Sequence, residues 1–175
     1  MRAACRVGFA LTAAVLAVAI VRAETFPARV VTVIDGDTVI VRDERNVRHE
    51  VRLLGIDAPE IRQAYGTRSR SRLAELAYGR RVEVTTTHRD RYGRLLAHVV
   101  VQDCDRPPCT PYDLSQAQVA GGYAWHDKPH ADQQRPDERL RYSRAELDAR
   151  TRRLGLWAAP APLAPWVYRH RYRRP

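Results

Sequence analysis

Lysine is nearly absent from this 175-residue chain: Lys128 is the only one, so almost all of the positive charge is arginine. Bulk arginine also follows from a GC-rich genome, so the preference itself carries little. Cysteine is scarce as well, with Cys5, Cys104 and Cys109 the whole complement. That is too few for a thiolate zinc site. No His-Glu-x-x-His or other histidine-metal nuclease pattern occurs, which argues against a zinc hydrolase. There is no internal repeat and no sign of a second domain. Acid is outnumbered, 20 Asp and Glu against 30 Lys and Arg, giving a formal charge of +10. A small domain this basic favours an anionic partner, nucleic acid first and an anionic membrane surface second. A motif is needed before charge becomes function.

Long apolar runs are missing too, except at the start. Residues 7–21 are almost entirely apolar, Arg2 and Arg6 precede them, and Val21-Arg22-Ala23 has the form of a cleavage site. Residues 1–23 therefore read as a signal peptide. The run is short for a spanning helix, with an uncleaved membrane anchor as the alternative. Cleavage would remove three arginines and no acid, leaving a mature charge of +7. The expectation is an exported protein, periplasmic or secreted. Cys104 and Cys109 would then form a disulfide across a short loop; in an unexported chain they would be two free thiols.

The rest is long enough for one domain with a core. Residues 30–34 and 38–41 are β-branched runs separated by Asp35-Gly36-Asp37, a strong hairpin signal. Residues 47–53 alternate with period two and read as a third strand. Residues 65–78 read as a helix stopped by Gly79. Residues 81–87 and 95–101 supply two more strands around a polar turn. Residues 114–124 read as a second helix interrupted by Gly121-Gly122. Pro136 opens a third, with Leu140, Leu147 and Leu154 as its apolar stripe and Gly155 as its stop. From residue 160 the chain is proline-rich, then basic and aromatic. We expect docking near Trp166 and disorder beyond it. Five strands with one helix between the third and fourth is the order of an OB-fold barrel. The fold class expected is α+β: a five-stranded OB-fold barrel with three helices, over residues 24–159.

Chemistry concentrates in Arg52-Leu-Leu-Gly-Ile-Asp57-Ala-Pro-Glu60. A strand here runs into a stiff loop, with Gly55 turning the backbone and Pro59 restricting it. One cation and two carboxylates at this spacing suit phosphate chemistry. A carboxylate can hold a hard metal ion, another can take a proton from water, and a guanidinium can grip phosphate. An exposed loop with a surface ion pair is the bland alternative.

Asp35-Gly-Asp37-Thr38, the Arg52–Glu60 stretch and Asp90-Arg-Tyr-Gly-Arg94, in this order and spacing, resemble the staphylococcal nuclease (thermonuclease) family over about residues 30–157. The resemblance implies that Asp37 and Asp57, with the backbone carbonyl of Ala58, hold a Ca²⁺ ion. It implies Glu60 as general base, Arg52 and Arg94 as the cations on the scissile phosphate, and Arg91 and Tyr92 as substrate-binding groups. It further implies hydrolysis of DNA and RNA with 3′-phosphate ends, with no stable protein partner, by a monomer. The chain departs from the best-known member after Ala124, where the tyrosine pair that stacks on the substrate base is missing. Tyr123 or Trp125 would have to substitute. His126 and His130 are expected to be solvated rather than a metal pair. The competing reading is a non-catalytic OB-fold module that binds nucleic acid; it has no need of Glu60.

Overall fold

The computed structural model describes residues 24–102 and 110–172. The expected signal segment and the Cys104–Cys109 pair lie outside them. Strand β1 (Thr25–Val33) pairs antiparallel with β2 (Thr38–Asp43), and β2 with β3 (Arg48–Leu53). On its other edge β1 pairs with β5 (Arg81–Arg89), which pairs with β6 (Leu95–Val101). Parallel pairing of β3 with β6, Val51 opposite Leu95 and Leu53 opposite Ala97, closes the five strands into a barrel. The expected α+β barrel is what forms. Two-residue strands follow: β4 (Ile56–Asp57), β7 (Tyr112–Asp113) on β6, and β8 (Trp125–His126), which pairs with β4.

Alternation puts one apolar set inside the barrel. Leu95, Ala97, Val99 and Val101 point inward from β6, as do Val82 and Val84 from β5 and Val51 and Leu53 from β3. In β1 a register shift between Val30 and Thr32 lets both Val30 and Val33 face inward. Helix α1 (Gly66–Ala77) covers the barrel with Leu73 and Ala77. Helix α2 (Leu114–Ala120) stops before the glycine pair, earlier than residue 124, and its buried Gln118 donates to the Gly36 carbonyl at 2.8 Å. Among the described residues, no helix is long and apolar enough to cross a membrane.

Helix α3 (Pro136–Thr151) departs from expectation in its face. Leu140 and Leu147 are 50% and 65% exposed; the buried residues are Glu138, Tyr142, Glu146 and Ala149. Polar bonds dock this helix. The Tyr142 hydroxyl donates to Asp113 Oδ2 at 2.6 Å, and Glu146 accepts from the His126 backbone N–H at 3.2 Å and from Lys128. The leucines ride on the opposite side, and the helix ends at Thr151, short of Leu154.

The tail is also ordered further than expected. A fourth helix, α4 (Pro165–Tyr172), follows the proline-rich segment. Trp166 packs edge-on against Trp125 (5.5 Å between centroids), which packs against Trp157 (4.4 Å). The Arg150 guanidinium lies over the Trp125 and Trp157 rings, 5.0 and 4.0 Å from their centroids.

Candidate active site

The site is assembled where the β1–β2 turn meets the loop after β3. In the turn, Asp35 Oδ1 accepts from the Asp37 N–H at 3.0 Å, an Asx turn. Asp37 is buried and its carboxylate takes three donors: the Ala58 N–H at 2.7 Å, the Thr38 hydroxyl at 3.0 Å, and the Arg52 guanidinium. Its carbonyl accepts from the Leu53 N–H at 2.8 Å. The turn is thus bonded directly to the loop that carries Asp57 and Glu60.

Gly55 makes that loop possible. It has φ +78°, and a Cβ there would meet the side chain of Gln134 at 2.3 Å. Asp57 follows in β4, buried and held opposite Trp125 of β8. Glu60 lies at the loop's end. A Cβ on Gly66 would stand 1.9 Å from the Glu60 carbonyl, so the start of α1 can approach this close only as glycine. Gln63 donates its backbone N–H to that carbonyl at 2.7 Å and accepts from the Glu60 N–H at 3.2 Å.

Arg52 reaches from β3 between the two aspartates. It bonds Asp37, Asp57 Oδ1 at 3.1 Å and the Ile56 carbonyl at 3.3 Å. Across the cleft, Asp90 organises a turn. Its Oδ1 accepts from the Tyr92 and Arg94 N–H groups at 2.9 and 3.0 Å, and its Oδ2 from Arg94 Nε at 2.7 Å. The Arg91 and Arg94 guanidiniums flank the Tyr92 ring at 5.0 and 5.4 Å. Asp37, Arg52, Asp57, Ala58, Glu60, Arg91, Tyr92 and Arg94 all line one open cleft, together with Asp35 and Arg169.

Electrostatics in the cleft are strained by crowded carboxylates. Burial, then the charge of Asp37, pushes Asp35 up to about 7. Burial also raises Asp57, reinforced by Asp37 and opposed by Arg169 and Arg52. For Asp37 burial acts the same way, but Arg52 and the donated hydrogen bonds outweigh it and hold it below the usual value. Asp37 and Asp57, buried side by side with Arg52 between them, offer hard carboxylate oxygens, the donor type that fits a divalent ion such as Ca²⁺. Among the described residues, no three His, Cys, Asp or Glu side chains converge as a metal-binding group. Two aspartates and a backbone carbonyl would be the protein's donors.

Other expected residues fall elsewhere. Tyr123 does not line the cleft; it is half-buried, and its carbonyl accepts from the Ser69 hydroxyl at 2.7 Å. Trp125 is buried in the tryptophan cluster and offers no face to a base. His126 is buried, not solvated, with Nε2 2.7 Å from Gln134 Oε1, because β4–β8 pairing draws it under the loop. His130 is exposed, as expected. Arg169 was not foreseen. On α4 it donates to both oxygens of Asp57, at 3.0 and 2.7 Å, and to Glu60 at 2.9 Å. In sequence it is one arginine among several in a basic tail, and nothing local distinguishes it.

Comparison with known proteins agrees with this geometry. The model of the family described as "Staphylococcal nuclease homologue" matches residues 50–159. A protein named "Protein ParB" from Escherichia coli is 40% identical over 163 residues, covering 90% of this chain and 88% of the relative. A protein named "Micrococcal nuclease" from Shigella flexneri is 38% identical over 159 residues, with the same coverage of 90% and 88%. An "Uncharacterized endonuclease" from Escherichia coli is 38% identical over 144 residues, 82% of this chain and 84% of its own. On the barrel, the cleft and these matches, the chain belongs to the staphylococcal nuclease family.

Proposed function

We propose that this protein is an exported, Ca²⁺-dependent nuclease that hydrolyses phosphodiester bonds of DNA and RNA and leaves 3′-phosphate ends. The observation that carries the reading is the convergence of Asp37, Arg52, Asp57, Glu60 and Arg94 on one cleft. Names of relatives, micrococcal nuclease and endonuclease among them, support nuclease chemistry. A bound Ca²⁺ would neutralise phosphate charge and orient the substrate; Asp37, Asp57 and the Ala58 carbonyl would hold it.

The chain's own residues do the rest. Glu60 has a side chain 40% exposed, so water reaches its carboxylate. It takes a proton as a water oxygen bonds to phosphorus and the bond to the 5′ oxygen breaks. The departing 5′ oxygen takes a proton from solvent and Glu60 returns its own to solvent, so the two transfers balance, and the second hydrogen of the water stays on the new phosphate. Negative charge gathers on the equatorial oxygens, and Arg52 and Arg94, both lining the cleft, stabilise it. Arg52 is pre-oriented by Asp37 and Asp57; Arg94 is pre-oriented by Asp90. Arg91 and Tyr92 bind phosphate and sugar without reading sequence. The hydrophobic leader supports export.

A nuclease assay on purified protein, with DNA and RNA oligonucleotides, in Ca²⁺ and in chelator, tests the reading. The expected result is cleavage of both in Ca²⁺, 3′-phosphorylated products, and no cleavage in chelator. Full activity in chelator overturns it.

A further inference from the structure

Arg169 closes off the two groups this reading needs free. Its fork spans both oxygens of Asp57, and one arm also holds Glu60. Bidentate charge-assisted contacts of this kind are the strong class of ion pair. Arg169 is only 28% exposed, and the pair lies against a buried carboxylate, where solvent screens little. The helix that carries it is anchored on two sides of the site. Trp166 packs on Trp125, the residue opposite Asp57 across β4–β8. On the Glu60 side, Gln63 Nε2 donates to the Leu163 carbonyl at 2.6 Å, just ahead of α4. The same two elements that position the carboxylates therefore position the cation that covers them.

We propose that Arg169 is a built-in cation surrogate: its guanidinium occupies the Asp57–Glu60 gap in the metal-free protein, holds the two carboxylates in place, and has to leave Asp57 before a divalent ion can bind there. The inference rests on the Ca²⁺ reading above. A divalent ion at Asp57 has to sit where the Arg169 charge now lies, 3.0 and 2.7 Å from the two oxygens, with Arg52 a further 3.1 Å from Oδ1. Arg52 belongs to the barrel wall. Arg169 sits on α4 and reaches Asp57 through its side chain. The occupied state lowers apparent metal affinity by the fraction of time the gap is closed. It also prevents the carboxylates from repelling one another when no metal is present.

The test is Ca²⁺ titration by calorimetry, without nucleic acid and at fixed ionic strength, on the full protein and three variants. Arg169→Gln removes the fork. Arg169→Lys keeps the charge and loses the fork. Arg171→Ala removes one charge from the exposed side of the same helix. The expected result is that Arg169→Gln lowers the apparent Kd about tenfold or more, Arg169→Lys lowers it less, and Arg171→Ala changes it less than about twofold. Thermal melting adds a second readout. Arg169→Gln melts below wild type in chelator, and the gap narrows in saturating Ca²⁺. A folded Arg169→Gln with unchanged or weaker affinity overturns the proposal, as does equal tightening by Arg171→Ala. Should Arg169→Gln not fold, a wild-type Kd in Arg169→Lys overturns it. Wild type that binds no Ca²⁺, with Arg169→Gln also silent, overturns the metal reading itself. Tightening seen only in the Arg169 variants supports the surrogate.

Discussion

Asp37 and Glu60 are carboxylates in the same cleft, and their surroundings divide their roles. Asp37 is buried under three donors, one of them Arg52; Glu60 is partly exposed and touches one cation. Glu60→Gln keeps the shape and removes the proton acceptor. It should lower kcat roughly 10²–10⁴-fold with little change in stability. Asp37→Asn strips charge from a buried pair, so it should cost about 2–4 kcal/mol and raise the Ca²⁺ concentration needed for activity. Urea unfolding and metal-dependent kinetics on both variants separate the two. Asp90 works at one remove, through Arg94. Burial would raise Asp90, but its bonds from Arg94 and the turn N–H groups hold it below the ordinary 3.8. A depressed carboxylate stabilises the fold in full above its unfolded value and loses that contribution as pH falls through its folded one. The stability gap between wild type and Asp90→Asn should therefore be constant down to about pH 5 and shrink below about pH 4. A gap that persists to lower pH would place its origin elsewhere. Asp35, Asp37, Arg52, Asp57 and Glu60 share two short motifs, and their chemistry is legible there. Arg169 is not, because only the return of the chain end brings it to them.

At the scale of elements, α3 shows how a polar bond can outrank an apolar stripe. Leu140, Leu147 and Leu154 at sevenfold spacing suggest the buried face, yet Tyr142 and Glu146 hold it. Partners on the domain side set this orientation: half-buried Asp113, the buried His126 N–H and exposed Lys128. A helix turned the other way would bury Leu140 and Leu147 but leave the His126 N–H without its acceptor and remove the Tyr142–Asp113 bond. Tyr142→Phe should consequently destabilise the protein by about 1–3 kcal/mol, whereas Leu147→Ala should change stability by no more than about 0.5 kcal/mol. Denaturant midpoints with an unchanged m-value would check both. A larger loss from Leu147→Ala would put the leucine face in contact with something. The strands were legible because their burial alternates with the period of the pleat. The helix faces were less so, because their partners are distant in sequence.

For the whole molecule, excess positive charge and an arginine-lined cleft imply binding dominated by phosphate contacts. The salt dependence of affinity should be steep, and slowed Glu60→Gln protein in chelator allows it to be measured without cleavage. On that background Arg91→Ala should lower the slope of log K against log salt by about 0.7–0.9 and weaken DNA and RNA sites of any sequence alike. A change confined to one base composition would mean that Arg91 reads bases.

The sequence by itself determined the barrel and most of the cleft. Period-two alternation, the Asp-Gly turn and the Gly-Ile-Asp-Ala-Pro-Glu loop act over a few residues, where backbone geometry leaves few choices. Charge balance pointed to an anionic partner before any coordinates. Tertiary structure alone decided the rest. It closed β3 on β6, buried His126 against Gln134, withdrew Trp125 into an aromatic cluster, and carried Arg169 across more than a hundred residues to Asp57. Those contacts depend on which distant surfaces meet once the core has packed, and pairing between remote charges leaves no local periodicity to read.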